Sequence, residues 1–365
     1  MPHYKFDQIA FNITDKKMPE PGDEKMYIGL EHLDSGSLKI TRWGSEVELT
    51  GQKLVMRKGD VLFGRRNTYL RRAAIAPHDG IFSAHGMIFR PKTQVIDPEY
   101  FPFFISSNYF MDAAIRISVG SLSPTVNWKT LKELEFDLPS LEEQRKNAAL
   151  LKSINETKEA YQELLIQTDN LVKSQFIEMF GDPATNSKDL PIATLPDLGK
   201  NLDNKRIPIT GGDRKAGEYP YYGASGVVDY VADYIFDDDL LLISEDGANL
   251  VARVTPIAFP STGKVWINNH AHVIKFNSMA MQCYVENLLN MMDISPYVTG
   301  TAQPKLNQAK LNSIPIPVPE EDQIREYLEF VKQSDKSKFE LKEAIKSCDA
   351  LMKAILFTNL EEKEG

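Results

Sequence analysis

The chain has 365 residues, 42% hydrophobic and 25% charged, the balance of a soluble globular protein with room for two ordinary domains and their connectors. Its net charge of −9 argues against a simple nucleic-acid coat, and no apolar run approaches the ~20 residues that a membrane-spanning helix needs. Cys283 and Cys348 are the sole cysteines and support neither a disulfide framework nor a zinc site.

The first residues, Met-Pro-His-Tyr-Lys-Phe-Asp, hold no apolar signal core, so a cytosolic protein is expected. Short β-type runs punctuated by Gly, Pro, Asn and Asp then follow. Tyr27–Leu33, Gly59–Gly64, Ala73–Ala76 and Gly86–Arg90 read as strands, and Tyr100–Ile115 as short helical structure. From Leu141 apolar residues recur at Leu150, Ile154, Tyr161, Leu164 and Leu171, and in a second row at Leu151, Leu165, Val172 and Met179. That three-four spacing predicts one long helix, stopped by Gly181-Asp-Pro183. About 40 residues at 1.5 Å each give a rod of roughly 60 Å.

Beyond it, Tyr219–Gly223, Asp239–Ser244, Val251–Val254, Gly263–Ile267 and Ala271–Phe276 are strand candidates, and Met281–Met292 is a helix candidate. A second helical stripe runs through Leu328, Val331, Leu341, Ile345, Cys348, Met352 and Ile355 to Phe357-Thr-Asn-Leu360. The expected class is α+β. Two similar globules with twisted, mostly antiparallel sheets are separated and followed by two long helices that pack antiparallel. The segments are 1–140, 141–182, 183–319 and 320–360.

The globule-helix unit occurs twice. Pro124, Asn127, Leu131, Leu134 and Pro139 precede Leu141-Glu-Glu-Gln144, and Pro304, Asn307, Leu311, Ile314 and Pro319 precede Glu320-Glu-Asp-Gln323. The offset is 180 residues, with one residue missing between Pro319 and Gln323. A fainter echo, Phe6-Asp-Gln-Ile9 against Leu195-Pro-Asp-Leu198, follows at an offset of 189. Such a period decides the architecture before any single side chain does.

This order, with Tyr219-Pro-Tyr-Tyr-Gly-Ala-Ser-Gly226, Ala302-Gln-Pro-Lys-Leu-Asn307 and Met179-Phe-Gly-Asp182, resembles the specificity subunit of type I restriction-modification enzymes over nearly the whole chain. The resemblance implies a non-catalytic subunit in which each globule is a target-recognition domain reading one half of a bipartite site in double-stranded DNA. It also implies that the helices set the gap and dock two methyltransferase subunits, with a restriction or translocase subunit as a further partner. S-adenosylmethionine, ATP and Mg would then belong to partner subunits, with no cofactor in this chain. The chain departs from the pattern by starting almost directly at the first globule and by ending its second helix without a Phe-Gly-Asp tail. Both departures bear on contacts that would close the molecule into a ring-like pseudo-twofold.

Two rival readings remain: a helical spacer binding protein only, which the acidic total favours, and a self-sufficient nuclease or methyltransferase. Asp97-Pro-Glu-Tyr100 lacks the glycine-rich cofactor loop of an amino-methyltransferase and reads equally well as a loop leading into a helix. Asp237-Asp-Asp239 with Glu245-Asp246 could offer oxygen ligands to a hard cation, yet three acids before Leu240-Leu-Leu-Ile243 read as a solvated turn. His270-Ala-His272 would put two imidazoles on one strand face without a third ligand, so no metal is expected. No Gly-Lys-Ser/Thr phosphate loop is present.

Arg reads guanine bidentately, Asn and Gln pair with adenine, and Lys and Ser hold phosphates. On that chemistry the DNA-contact candidates in the first globule are Arg65, Arg66, Tyr69, Arg71, Arg72 and His85. In the second they are Tyr221, Tyr222, Ser225, Ser244, Asn249, Lys264, Asn268, Asn269 and His270, with Lys305 nearer the joint.

Overall fold

The computed structural model describes residues 2–358, so Asn359 and Leu360 of the expected second helix lie outside the described residues. Two compact units divide the chain. The first holds residues up to Gln162 together with those from Lys342 onward, and the second holds Glu163–Leu341. No helix among the described residues is long and apolar enough to cross a membrane.

Each unit repeats one α+β topology. In the first, strands Ala10–Ile13, Met87–Pro91, Val61–Phe63 and Ala73–Ile75 form an antiparallel sheet in that order. In the second, Gly199–Asn201, Ala271–Phe276, Leu240–Ser244 and Ala258–Ser261 do the same. A second four-stranded sheet follows in each, with a single parallel pair: Tyr27–Ile28 beside Gly80–Phe82, and Ala216–Gly223 beside Lys264–Ile267. The central strands are buried on both faces, so Leu240–Ser244 reads as an unbroken apolar run rather than an alternating one.

Phenylalanines fill the first core, where Phe6, Phe63, Phe89 and Phe110 lie ring to ring at 5.0–6.5 Å. Val251–Val254 is not the expected strand. Asn249–Ala252 is one helical turn, ended by Arg253 in the left-handed region at φ 51°. The Asn249 side chain closes that turn, donating to Thr255 O at 2.9 Å and accepting from Thr255 N at 3.0 Å.

The two long helices are Leu141–Phe180 and Glu321–Thr358. Ser140 and Glu143 start the first with reciprocal bonds: Glu143 Oε2 accepts from Ser140 N at 2.9 Å, and Ser140 Oγ accepts from Glu143 N at 3.3 Å. Gly181 ends it in the left-handed region at φ 81°, its N–H bonded to Ile177 O at 2.8 Å. Within the first unit Ala148 and Leu151 share a core with Met352 and Leu356, and Lys158 reaches Asp349 at 2.7 Å. Within the second, the Phe180 and Phe176 rings pack on Tyr327 at 5.3 and 5.5 Å, and Asp169 meets Lys338 at 3.2 Å. In both units later residues of one helix meet earlier residues of the other, so the paired segments are antiparallel.

Of the two apolar rows expected on the first helix, the one through Leu151, Leu165, Val172 and Met179 turns further inward, with buried Lys158 in the same row, while Ile154 and Tyr161 of the other row are half-buried. Leu150, Leu164 and Leu171 are about half exposed. The 180-residue offset also runs unbroken into the helices, because Gln144 N donates to Ser140 O as Ile324 N does to Glu320 O. Gln144 therefore corresponds to Ile324 and not to the exposed Gln323.

Candidate nucleic-acid interface

The strand at the centre of each main sheet leads into a loop that the repeated segment holds in place. After Val61–Phe63, the Val126 N–H donates to Arg65 O at 3.0 Å, Arg66 bridges to Thr125, and the Asn67 N–H donates to Pro124 O at 2.8 Å. After Leu240–Ser244, Leu306 N donates to Glu245 O at 2.8 Å, Asp246 bridges to Lys305, and Gly247 N donates to Pro304 O at 3.0 Å. The bridging residues sit on tight hairpins, Val119 to Thr125 and Thr299 to Lys305, that turn at Gly120 (φ 114°) and Gly300 (φ 83°). Both glycines hold a left-handed φ that other residues rarely adopt, and a Cβ on Gly300 would lie 2.5 Å from Gln303 O and one on Gly120 3.3 Å from Ser123 O.

In the first unit Arg66, Tyr69 and His85 are exposed, and Arg66 has one weak contact, to Ser123 Oγ at 3.5 Å. Arg71 and Arg72 are otherwise engaged. Arg71, at φ 49°, pairs with Asp112 and bonds to Asn108 Oδ1 at 3.2 Å. The Arg72 guanidinium donates to Leu30 O at 2.9 Å and Arg66 O at 3.3 Å, and burial lowers its pKa from the ordinary value. Both brace the loop through these bonds, Arg71 with its side chain still partly exposed and Arg72 half-buried. Arg65 is half-buried, with its Nε enclosed and unpartnered.

In the second unit Ser225, Lys264, Asn269, His270 and Lys305 are exposed. Lys264 sits 4.8 Å above the Tyr234 ring. Three candidates are internal. Tyr221 is 1% exposed, its hydroxyl accepting from Ile209 N at 3.1 Å with Arg214 stacked 4.4 Å above its ring, so this side chain is core. Ser244 is buried with its hydroxyl on Ala224 O, and Asn268 is buried with Oδ1 accepting from His270 N at 2.8 Å. Tyr222 is half-buried and stacks on Phe259, while Asn249 serves the turn already described. The sequence signal for such reversals is weak, because a tyrosine or serine in a β-run is equally suited to core and surface.

Acids of the Asp237–Asp239 turn and of the Asp97 loop are engaged by protein partners. Asp238 pairs with Lys275 at 2.6 Å and Asp239 accepts from Thr262 Oγ1 at 2.6 Å, a solvated turn ahead of the buried strand. Asp97 Oδ1 accepts from Glu99 N at 2.9 Å and Tyr100 N at 3.2 Å, the geometry of a loop leading into a helix. His270 and His272 do not share a strand face: the strand starts at Ala271, leaving His270 exposed and His272 buried.

His272 joins Asp203 and Glu245 in a cluster whose ligand atoms lie within 4.8 Å of one another. Its Nδ1 is 2.6 Å from Asp203 Oδ2 and its Nε2 is 2.7 Å from Leu306 O, so both ring nitrogens are occupied. Arg206 donates to Glu245 Oε2 and Ala271 O, each at 2.7 Å, supplying the positive charge that a cation would bring. Burial pushes the Asp203 carboxyl up, but the His272 hydrogen bond and charge, the Val273 N–H and Arg206 together hold it below the usual range. The cluster ties the strand, the Glu245 loop and the repeated segment together.

A family model described as the type I restriction modification DNA specificity domain matches residues 11–167 and again 188–347. A putative type I restriction enzyme specificity subunit of Haemophilus influenzae is 34% identical over 125 residues, 34% of this chain and 32% of that protein. The type I restriction enzyme EcoDI specificity subunit of Escherichia coli is 26% identical over 142 residues, 38% of this chain and 31% of that protein. The chain thus spans about a third of the length of the curated relatives it matches. In fold it is similar to the type I restriction-modification S subunit from M. genitalium, with a TM-score of 0.59 at 13% identity over 99% of this chain and 96% of that one. A structure of type I R-M complex assembly gives 0.56 at 17% identity, over 99% and 97%. With a family model matched twice across most of its length, the chain belongs to the type I restriction-modification DNA specificity family.

Proposed function

We propose that this chain is the non-catalytic recognition subunit of a type I restriction-modification complex in the cytosol, each unit reading one half of a bipartite site in duplex DNA. The observation that carries this reading is the doubled loop. The same strand end, hairpin and backbone bridges present Arg66 and His85 in one unit and Asp246, His270 and Lys305 in the other. Loops fixed by a rigid sheet are where base-reading side chains belong. The long helices set the gap between half-sites and dock two methyltransferase subunits. Exposed Leu150, Leu164, Leu171, Ile177, Phe339 and Leu351 supply apolar surface for that docking. S-adenosylmethionine, ATP and Mg belong to the partner subunits, among them a restriction or translocase subunit.

The full chain should bind duplex DNA with an affinity that falls as salt rises, and Arg66→Ala should reduce both that slope and the preference for one half-site. Native mass measurement should find two methyltransferase copies per chain. Salt-independent or absent DNA binding would favour a protein-only spacer.

A further inference from the structure

Sheet register reveals a correspondence between two histidines that residue spacing conceals. Phe63 pairs with Met87 in the first unit and Ile243 with His272 in the second. Phe63 and Ile243 each stand three residues before a bridge residue, Arg66 or Asp246. Two residues before Met87 and His272 lie His85 and His270. The turn is the same in both: His85 N donates to Ser83 Oγ at 3.3 Å, and His270 N donates to Asn268 Oδ1 at 2.8 Å. Both rings are exposed beside the loop that the repeated segment pins.

Their settings have opposite polarity. Asp246 Oδ2 lies 2.8 Å from His270 Nδ1, and a carboxylate only accepts, so Nδ1 carries the hydrogen. Nε2 has no partner among the described residues, and the side chain is 48% exposed. In the neutral ring that nitrogen is a hydrogen-bond acceptor pointing away from Asp246. Asp246 itself is only 15% exposed, so its charge is spent on the ring rather than presented to phosphates. In the first unit the residue equivalent to Asp246 is Arg66, a guanidinium that can only donate.

We propose that His270, positioned by Asp246, is the base-reading residue of the second unit, its Nε2 accepting from an exocyclic amino group of adenine or cytosine, while Arg66 at the equivalent corner of the first unit takes the acceptor edge of guanine. In the major groove only adenine N6 and cytosine N4 offer amino donors, and only guanine offers two acceptors side by side. The inference rests on the DNA-recognition reading and adds to it which corner reads and with which polarity. Asp246 is a positioning residue: it fixes which ring nitrogen faces the base.

The test is selection of duplexes from a randomised library by the full-length chain, followed by sequencing. The wild-type chain should select one base pair, in one half-site only, through His270, and removing the amino group of that pair's adenine or cytosine, with purine or 2-pyrimidinone in its place, should weaken wild-type binding. Asp246→Asn, which permits either tautomer, and His270→Ala, which removes the acceptor, should each cut the preference at that base pair roughly tenfold and leave the other half-site unchanged. The half-site left unchanged doubles as a folding control, and His270→Ala alters an exposed side chain if Asp246→Asn perturbs the loop. Adenine preference and cytosine preference at that position separate the two amino donors. Unchanged preferences in both variants, or wild-type binding that does not fall when the amino group of the affected base pair is removed, would overturn the assignment while leaving DNA recognition standing. A wild-type chain that selects no sequence would bring down both.

Discussion

Gln144 and Ile324 occupy the same position of the two repeats, and each is 1% exposed, a hydrogen-bonded amide in one unit and an aliphatic chain in the other. Gln144 Oε1 accepts from Asp97 N at 2.7 Å, and its Nε2 donates to Pro139 O at 2.9 Å and Val95 O at 3.1 Å. One side chain thus fastens the start of the first long helix to the loop at Asp97. Ile324 does the equivalent work by packing in the second core.

Because an unmade buried hydrogen bond costs more than a made one contributes, Gln144→Leu should destabilise the first unit by about 2–4 kcal/mol. Urea unfolding separates the units: Trp43 and Trp128 belong to the first, and Trp266 belongs to the second. The first-unit transition should move to lower urea while the second stays in place. An unmoved midpoint would show that water replaces the amide without loss.

Acid should loosen the second unit through Asp203. Its pKa is lower folded than unfolded, so its stabilising contribution is present above the ordinary carboxylate range near ~3.9 and is lost as pH falls through the depressed value. Asp203→Asn should destabilise the unit at pH 7 and flatten the acid limb of its stability profile. A variant that retains the wild-type acid limb would assign that limb to other carboxylates.

Glu286 should act in the opposite direction. It lies on helix Met279–Met291, where burial pushes its carboxyl up to about 7; Asp335 on the second long helix adds to the push and Lys338 opposes it. The folded unit then holds a proton that the unfolded chain releases, so stability falls as pH rises from about 4.5 to about 7. Glu286→Gln should remove that fall and leave the variant more stable than the wild type at pH 8. Parallel stability curves for the two proteins across this window would place the ionisation cost elsewhere.

The helices, the duplication and the α+β class were legible because they rest on spacing: three-four apolar rows, Gly and Pro stops, and a fixed offset. Side-chain direction was not. Leu150 and Leu151 are neighbours in a helical pattern, yet only packing decides that Leu151 is buried and Leu150 half exposed. Arg66, Arg71 and Arg72 are one basic cluster in sequence. Asp112 and the Leu30 carbonyl separate them in space, since neither partner is near in the chain. The pairing of His85 with His270 falls at an offset of 185, outside both offsets visible in the sequence, because the loops between the paired strands differ in length. Asp246 appeared only as a possible metal ligand until the bridge to Lys305 showed it standing where Arg66 stands.

If the long helices measure the gap between half-sites, their length is the ruler. Tyr161–Gln167 and Leu341–Ser347 contain the points where each helix passes from one unit to the other, at Gln162–Glu163 and Leu341–Lys342. Removing both stretches takes one heptad from each helix and keeps the inward row of Leu151, Lys158, Val172 and Met179 in phase, since these residues recur at multiples of seven. Deleting from one helix alone would leave the antiparallel segments mismatched. The double deletion shortens the rod by roughly 10 Å, about three base pairs at ~3.4 Å each. Together with the methyltransferase proposed to dock on it, the shortened protein should modify the same half-site sequences at a spacing narrower by about that amount, read by mapping methylated bases genome-wide. Retention of the original spacing together with the original half-sites would mean that the helices do not set the distance.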